Sequence, residues 1–517
     1  MSVRRTTSRA GRGSLMASGI LGWGFAGLAG LALVMVGLGM AGCGPGSAPL
    51  SPSALIVTQV PLQASGHEVG GDLLDLSYPA GSRVVFVPQP ERPDRVVVLS
   101  GRLRAAGSPV LGSEGSAVLF VGKADASSAW QIYRADLRGG TPTAVTAVEG
   151  GAMAPAWLPA ERFVFGSPVP RLVPGAVAAH SSLFTQAITG GAPVRLTFGL
   201  ASAGDPSVLA DGRILFVSSV PAPDGSPVAA TSLFTINNDG TEIAAFAGQH
   251  DGPASARRPR ETDDGRIVFL SAGAGTPAID GRIEQVESAR PFRSRSVVFP
   301  QISAPCRAVE PATDGALLAS LRETGNDREL LSYGIYRLST GASRATGPVF
   351  DDPGWNDVEA VLAGRPSRPM GRLSSVDPSR RDGTLLCLDA GMWDRPSSAG
   401  PAGVAGHRLR VIRQTDARPG QARILGEAPV KQDGSVLVLV PSDVPLALEL
   451  LDPMGRVVRK CPPAFWLRPG ENRACVGCHE PHNRAPENLR PLAVREPPVR
   501  LVPGGDEFAQ SPPPASP

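Results

Sequence analysis

The sequence predicts an all-β chain: a six- to seven-bladed β-propeller followed by a small β-rich domain that ends in a Cys-x-x-Cys-His motif. Three observations lead there. Six segments in the middle of the 517 residues share a strand–turn–strand pattern. Gly 61 and Pro 52 favour many turns and short strands over long helices. With 42% hydrophobic and 19% charged residues the composition is globular, and the chain is long enough to bury a sizeable core.

The N-terminus reads as an address. A basic stretch through Gly13 is followed by the apolar run Ile20 to Met40, then Met40-Ala41-Gly42-Cys43. A basic region, an apolar region and small residues before a cut describe a secretory signal. The small-small-Cys ending resembles a bacterial lipobox, which makes 1–42 a lipoprotein signal peptide and Cys43 the lipidated residue. The competing reading is an uncleaved anchor, since 21 apolar residues can span a bilayer. Either reading puts the rest of the chain outside the cytoplasm. The expected location is the bacterial cell envelope, facing the periplasm and lipid-anchored to the membrane. Gly44 rather than Asp follows the cysteine, which favours the outer membrane. Residues 43–69 read as a linker.

The repeat occupies 70–350. Its units are 78–103, 112–142, 158–193, 209–242, 262–288 and 313–344. Each opens with a turn, often Asp-Gly, and continues with an apolar strand, a variable loop and a second strand such as IYRADL or LFTQAI. The first strands align at Phe86, Phe120, Phe165, Phe216, Phe269 and Ala319. Asp-Gly fits tight hairpins because both residues tolerate positive φ. Units of this length suit one propeller blade each. The pattern resembles TolB-type (PD40) propeller repeats. A β-sandwich array is the alternative, and a propeller alone states no function.

Past residue 350 the repeat stops. The Pro-, Arg- and Gly-rich stretch 351–400 reads as a border. HRLRVIRQ (407–414), SVLVLVP (435–441) and LALELLD (446–452) then read as strands of a small β-domain that extends to 488. The Pro-rich remainder, 489–517, reads as a disordered tail. Cys475-Val476-Gly477-Cys478-His479 has the spacing of a c-type haem attachment site. Two thiols add to the two haem vinyl groups, and the adjacent histidine reaches the iron. Cofactor-binding candidates are therefore Cys475, Cys478 and His479, with His479 as metal ligand and haem c as covalent cofactor. Distal candidates are Met392, Met454 and His407, whereas His482, three residues after His479, is too close along the chain to reach the opposite face easily. A zinc site using Cys461 is the competing reading, although such sites usually bring a second ligand pair. Cys387 and Cys461 share this domain and read first as separated buried thiols, with a disulfide in an oxidising compartment as the alternative. Phe465 and Trp466 are expected to wall the haem.

GTLLCLDAG (383–391), HRLRVIRQ, GEAPVKQDGSVLVLVPSDVPLALELLDPMGRVV (426–458) and FWLRPGENRACVGCHEPHNRAPEN (465–488) together are similar to the middle domain of the hydrazine synthase alpha-subunit family. That domain is common in exported planctomycete-type proteins, after a propeller. The resemblance implies a covalent haem on Cys475 and Cys478, with His479 as the motif histidine. The family's synthase uses a tyrosine near its motif as iron ligand and continues into a second haem domain. Here no tyrosine follows Tyr336, and there is no second Cys-x-x-Cys-His.

Charge excludes a simple nucleic-acid reading. Lys+Arg 50 against Asp+Glu 47 is nearly balanced, four of the arginines lie in the signal, and aromatics are only 5%. No phosphate loop, HExxH or Ser/His/Asp arrangement appears. Three functions remain. The first is electron transfer by a mono-haem protein to a redox partner protein, with the propeller as docking scaffold. The second is a haem redox enzyme acting on a small nitrogen or oxygen compound. The third is a non-catalytic scaffold whose Cys-x-x-Cys-His binds zinc or is vestigial.

Overall fold

Strands of the repeat are apolar at consecutive positions because both of their faces are covered. In Ala117–Lys123, Val118 and Phe120 enter one core while Leu119 and Val121 enter the next. Alternate side chains of a strand point to opposite faces, so a continuous apolar run is what a strand between two packed sheets requires. The structure, a computed structural model, describes residues 51, 53–62, 78–169, 180–199, 201–220, 230–248, 254–273, 280–312, 314–324, 330–339, 347–364, 368–392, 407–414, 422–477 and 488–501. The signal segment with Cys43, and Cys478, His479 and His482, lie outside the described residues.

Six antiparallel sheets follow one another along the chain. Sheet 1 is ordered Trp355–Leu362, Leu55–Pro61, Arg83–Val87, Val97–Val98. Sheet 2 runs Ala105–Leu111, Ala117–Lys123, Gln131–Asp136, Thr143–Ala144, and sheet 3 Met153–Leu158, Arg162–Val169, His180–Ala187, Gly190–Arg195. Sheet 4 is Ala203–Val208, Ile214–Val220, Ala230–Ile236, Ala244–Ala247, and sheet 5 Ala254–Glu261, Arg266–Gly273, Arg282–Glu287, Ser296–Val297. Sheet 6 has Cys306–Pro311, Leu317–Thr324 and Leu330–Leu338.

A hydrophobic cluster fills each gap between successive sheets. Leu215 and Val217 of sheet 4, for example, meet Ile267 and Phe269 of sheet 5. The last cluster joins Leu318 and Ile335 of sheet 6 to Leu55, Val57 and Ala360 of sheet 1. The series thus returns to its start, as in a propeller. The return depends on Trp355–Leu362, which pairs with Leu55–Pro61 from Leu55↔Leu362 to Pro61↔Trp355.

Two expectations are corrected here. The strand Leu55–Pro61 lies in the stretch read as a linker, and Trp355–Leu362 lies in the stretch read as the next domain. The first repeat was also aligned one strand late. Phe120, Phe165, Phe216, Phe269 and Ala319 pair with Tyr133, Phe184, Phe234, Glu284 and Tyr336 on the third strand of their sheets. Phe86 is itself on a third strand, and its second-strand partner is Ile56.

Residues 382–500 form two further sheets around one core. One is ordered Asn472–Cys475, Asp382–Cys387, Val436–Pro441, Val499–Arg500; the other is Arg423–Pro429, Arg408–Arg413, Leu446–Leu451, Val457–Phe465. Leu385, Val436 and Val438 of the first meet Leu409, Val411, Leu448 and Leu450 of the second, a small β-sandwich. The start of the stretch read as a disordered tail is ordered: Leu492–Arg495 forms a 3₁₀ turn, and Val499–Arg500 pairs parallel with Val438 and Leu439. Among the described residues no helix is long and apolar enough to cross a membrane.

The sandwich is keyed to the sheets before it. Trp466, 3% exposed, joins the core between sheets 3 and 4 and donates from Nε1 to the carbonyl of Gly240 at 3.2 Å. It does not wall the motif as expected. Residues 370–375 run along the turns of sheet 4, where Asp239 accepts from the Ser374 hydroxyl at 3.0 Å and the Ser375 amide at 2.9 Å.

Candidate functional site

The motif enters on a short edge strand. Its approach is the run Arg468-Pro469-Gly470-Glu471, and both charged ends of that run are buried. The Glu471 carboxylate accepts from the Arg468 amide at 2.7 Å and from the Glu242 amide at 2.9 Å. Arg468 donates to Asp443 and to the carbonyl of Arg195, each at 3.0 Å, and stacks on Phe198. Burial pushes the Asp443 carboxyl up to about 6, against the pull of Arg468 and Arg195. This turn fixes where Asn472–Cys475 begins relative to sheets 3 and 4.

Asn472–Cys475 then pairs parallel with Asp382–Cys387, in register from Thr384↔Asn472 to Cys387↔Cys475. Cys475 is half-buried. The Leu388 and Asp389 amides donate to the carbonyls of Cys475 and Val476 at 2.9 and 3.1 Å. Gly477 is pressed so closely on Met392 that a Cβ would sit 2.7 Å from its carbonyl oxygen. The Asp433-Gly434-Ser435 turn supports this run from behind. Gly434, at φ +81°, accepts the Ala390 amide on its carbonyl, and a Cβ there would collide with Asp389 at 2.2 Å. Asp433 and Ser435 also accept the amides of Leu492 and Ala493. The turn signature visible in the sequence therefore holds the segments before and after the motif.

The structure sorts the remaining candidates. Met392 is buried, 4% exposed, against Gly477, whereas Met454 is 79% exposed on a turn. His407 is exposed, its amide bonded to the carbonyl of Leu451. Phe465 packs at the sandwich core with Cys475, under the Arg473 guanidinium. Cys461 lies on the other sheet, opposite Leu448, and no disulfide joins it to Cys387. Among the described residues no three His, Cys, Asp or Glu converge to hold a metal ion. Of the motif's two thiols, Cys475 is among the described residues: it is half-buried at the end of an edge strand, where its sulfur could take a thioether.

A second polar site, unforeseen from the sequence, lies on the inner strands of the sheets. Each of these strands is bulged: register shifts fall at Gly107/Val110, Met153/Ala156, Gly204/Ser207, Arg257/Arg260 and Cys306/Ala308. Four bulged residues other than glycine sit at positive φ: Ser108 (54°), Ala154 (48°), Asp205 (46°) and Arg258 (50°). Bulges re-aim side chains, and each such φ costs about 1 kcal/mol or more. Ser108 and Arg258 are turned toward Glu359 of the closing strand. Glu359 accepts from Tyr78 Oη at 2.6 Å, Thr58 Oγ1 at 2.7 Å, the Ser108 amide at 2.8 Å and the Arg258 guanidinium. Burial alone would raise the Glu359 pKa, but Arg258 and the three other donors outweigh it and hold the carboxyl below its usual range. A small cavity beside it is lined by Ser108, Arg258, Arg260, Glu310, Ser320 and Glu359. The only hints in the sequence were charges, in RRPRE (257–261) and at Glu359, inside strand-like runs.

Two residues before Glu359, Asp357 is fully buried, and burial pushes its carboxyl up to about 7, its bonds from the Asp352 amide and Gln59 notwithstanding. In the unfolded chain it ionises near 3.8, so between about pH 4 and 7 the folded chain holds a proton the unfolded chain has lost. Stability from this group is therefore present below pH 4 and falls as the pH rises to 7, by roughly 4 kcal/mol at most. Thermal unfolding of Asp357→Asn should show a flatter pH profile over this range than the parent. An unchanged slope would contradict the assignment.

An all-β chain with propeller-like sheets followed by a small β-sandwich, one edge strand of which ends at Cys475, is the class defined by the fold. The comparisons supply the particular likeness: residues 404–480 match the family model for the hydrazine synthase alpha subunit middle domain. Hydrazine synthase subunit alpha of Kuenenia stuttgartiensis is 25% identical over 350 residues, 55% of this chain and 42% of that protein. The chain thus matches less than half the length of this relative. The solved Kuenenia stuttgartiensis hydrazine synthase aligns at TM-score 0.74 with 20% identity, over 87% of this chain and 72% of that one. The resemblance read from the motifs is therefore present in sequence and in fold. TolB from Acinetobacter baumannii aligns at TM-score 0.39 with 14% identity, over 57% of this chain and 62% of that one.

Proposed function

We propose that this is an exported, lipid-anchored protein whose sandwich carries one covalent c-type haem for electron transfer to a partner protein. The six sheets are then the blades of a six-bladed propeller that serves as docking scaffold. The observation that carries the reading is the Cys475–His479 motif of the sequence, whose first cysteine ends a braced edge strand inside the stretch matched by the family model. Cys475 and Cys478 would hold the haem, His479 would bind its iron, and Met392, buried beside Gly477, would be the candidate for a second contact. Haem so held would supply one-electron chemistry. The chain's contribution is to fix the first thiol through the Leu388 and Asp389 amides and to keep the site at a constant place relative to the propeller through Arg468 and Trp466. The relative's name, a synthase subunit, agrees with a protein partner.

Protein matured with haem attachment machinery should give a c-type reduced-minus-oxidised spectrum and keep its haem through denaturing electrophoresis. Cys475→Ala with Cys478→Ala should abolish both. Stoichiometric zinc without haem would replace this reading with the zinc scaffold, and a spectral shift with CO or NO would favour the redox-enzyme reading. For the anchor, Cys43→Ala should leave an unprocessed precursor, because stable attachment needs the several acyl chains added at that cysteine. A mature protein of unchanged mass in that variant would refute lipidation.

A further inference from the structure

We propose that Cys387 is a disulfide partner for Cys475, and that this pair holds the motif in a haem-free, oxidised form until a reductant opens it. The inference rests on the haem reading above and adds a regulation to the same site. Its basis is register. Asp382–Cys387 and Asn472–Cys475 are neighbouring parallel strands that end together, with Cys387 and Cys475 directly side by side. In-register side chains of parallel neighbours point to the same face, and both residues pack on the sandwich core. Neighbouring strands lie about 4.8 Å apart, inside the range of about 4.4–6.8 Å that disulfides span between Cα atoms. The Leu388 amide bonded to the Cys475 carbonyl keeps the two strand ends from sliding. Cys387 is 4% exposed and screened from solvent oxidants, whereas the half-buried Cys475 is open to exchange.

The chemistry balances with an envelope disulfide as oxidant. Each thiol loses its proton and one electron, a sulfur–sulfur bond forms, and the oxidant's disulfide becomes two thiols. A sulfur held in that bond has no S–H to add across a haem vinyl group, so the disulfide and the thioether exclude each other at Cys475. Opening the pair requires the reverse exchange with a dithiol reductant.

The test uses the full chain exported in two hosts, one with and one without haem attachment machinery, alkylated without reduction and digested. The expected result is a Cys387–Cys475 cross-linked peptide, lighter by two hydrogens than the two free peptides, from the haem-free protein. That peptide should disappear from the haem-loaded protein, where Cys387 should instead be alkylated. Cys387→Ala, a small change at a core position, should remove the peptide and raise the fraction of chain that acquires haem. Full alkylation of Cys387 in the haem-free protein, or Cys475 linked to Cys478 or Cys461 instead, overturns the proposal. A Cys387–Cys475 peptide in both hosts with no haem in either supports the pairing and sinks the haem reading, so the two failures are distinguishable.

Discussion

Glu359→Ala should be among the most damaging single substitutions in the chain, although it touches no part of the motif. It leaves the Arg258 guanidinium, on a residue 9% exposed, without its carboxylate, and strips the acceptor from Tyr78, Thr58 and the Ser108 amide. An uncompensated buried charge alone costs about 3–5 kcal/mol. That is a large share of the roughly 5–15 kcal/mol by which folded domains exceed their unfolded chains. Glu359→Gln keeps the shape and one acceptor oxygen, so it should lose less. Replacing both partners, Glu359→Leu with Arg258→Met, should recover part of the loss because no charge is then stranded. Denaturant midpoints of the four proteins give the ranking. An alanine variant as stable as the parent would mean that the carboxylate does not tie the inner strands together.

A fragment from residue 50 to 350 should fail to fold, whereas one extended to 364 should fold. The difference is the strand Trp355–Leu362, the inner strand of sheet 1, which also carries Glu359 and Asp357. Without it, the backbone groups of Leu55–Pro61 lose their ladder, and Leu55, Val57, Leu318 and Ile335 lose the cover of Ala360. Unpaired buried backbone groups and exposed core act together, so the loss should be near complete rather than graded. The longer fragment lacks Trp466 from the core between sheets 3 and 4 and should be less stable than the whole chain. Circular dichroism and proteolysis of the two fragments distinguish the outcomes. A stable 50–350 fragment would show that the closing strand is dispensable.

The regular part of the fold was legible because its rules are local. A strand packed on both faces must be apolar at consecutive positions, and a hairpin needs residues such as Asp-Gly, so five of the six second strands could be aligned from sequence. The sandwich strands Arg408–Arg413, Val436–Pro441 and Leu446–Leu451 were readable for the same reason. What escaped was non-local. Trp355–Leu362 follows a Pro- and Gly-containing turn and carries Asn356, Asp357 and Glu359, which look like surface residues until the opposite side of the ring is placed beside them. The inner-strand bulges leave no mark in periodicity, because one extra residue in a short strand is indistinguishable from a longer loop. Trp466 looked like a neighbour of the motif by proximity in the chain, but a turn sends it into a different core. The register of Cys387 with Cys475 likewise joins two stretches that nothing in either one pairs.

The closing pair also sets a waiting time. Thr58 and Glu359, bonded in the folded state, are 301 positions apart. At synthesis rates of about 5–20 residues per second, the partner of the first strand emerges about 15–60 s after it. During that interval Leu55–Pro61, buried at nearly every position once folded, is an apolar strand with an open edge. A local hairpin forms in about 1–10 μs and folds dominated by non-local β pairing in about milliseconds to seconds, both shorter than that interval. The vulnerable period of this chain is therefore set by how fast its later strands are delivered, and shielding one seven-residue segment early should raise the yield of folded protein.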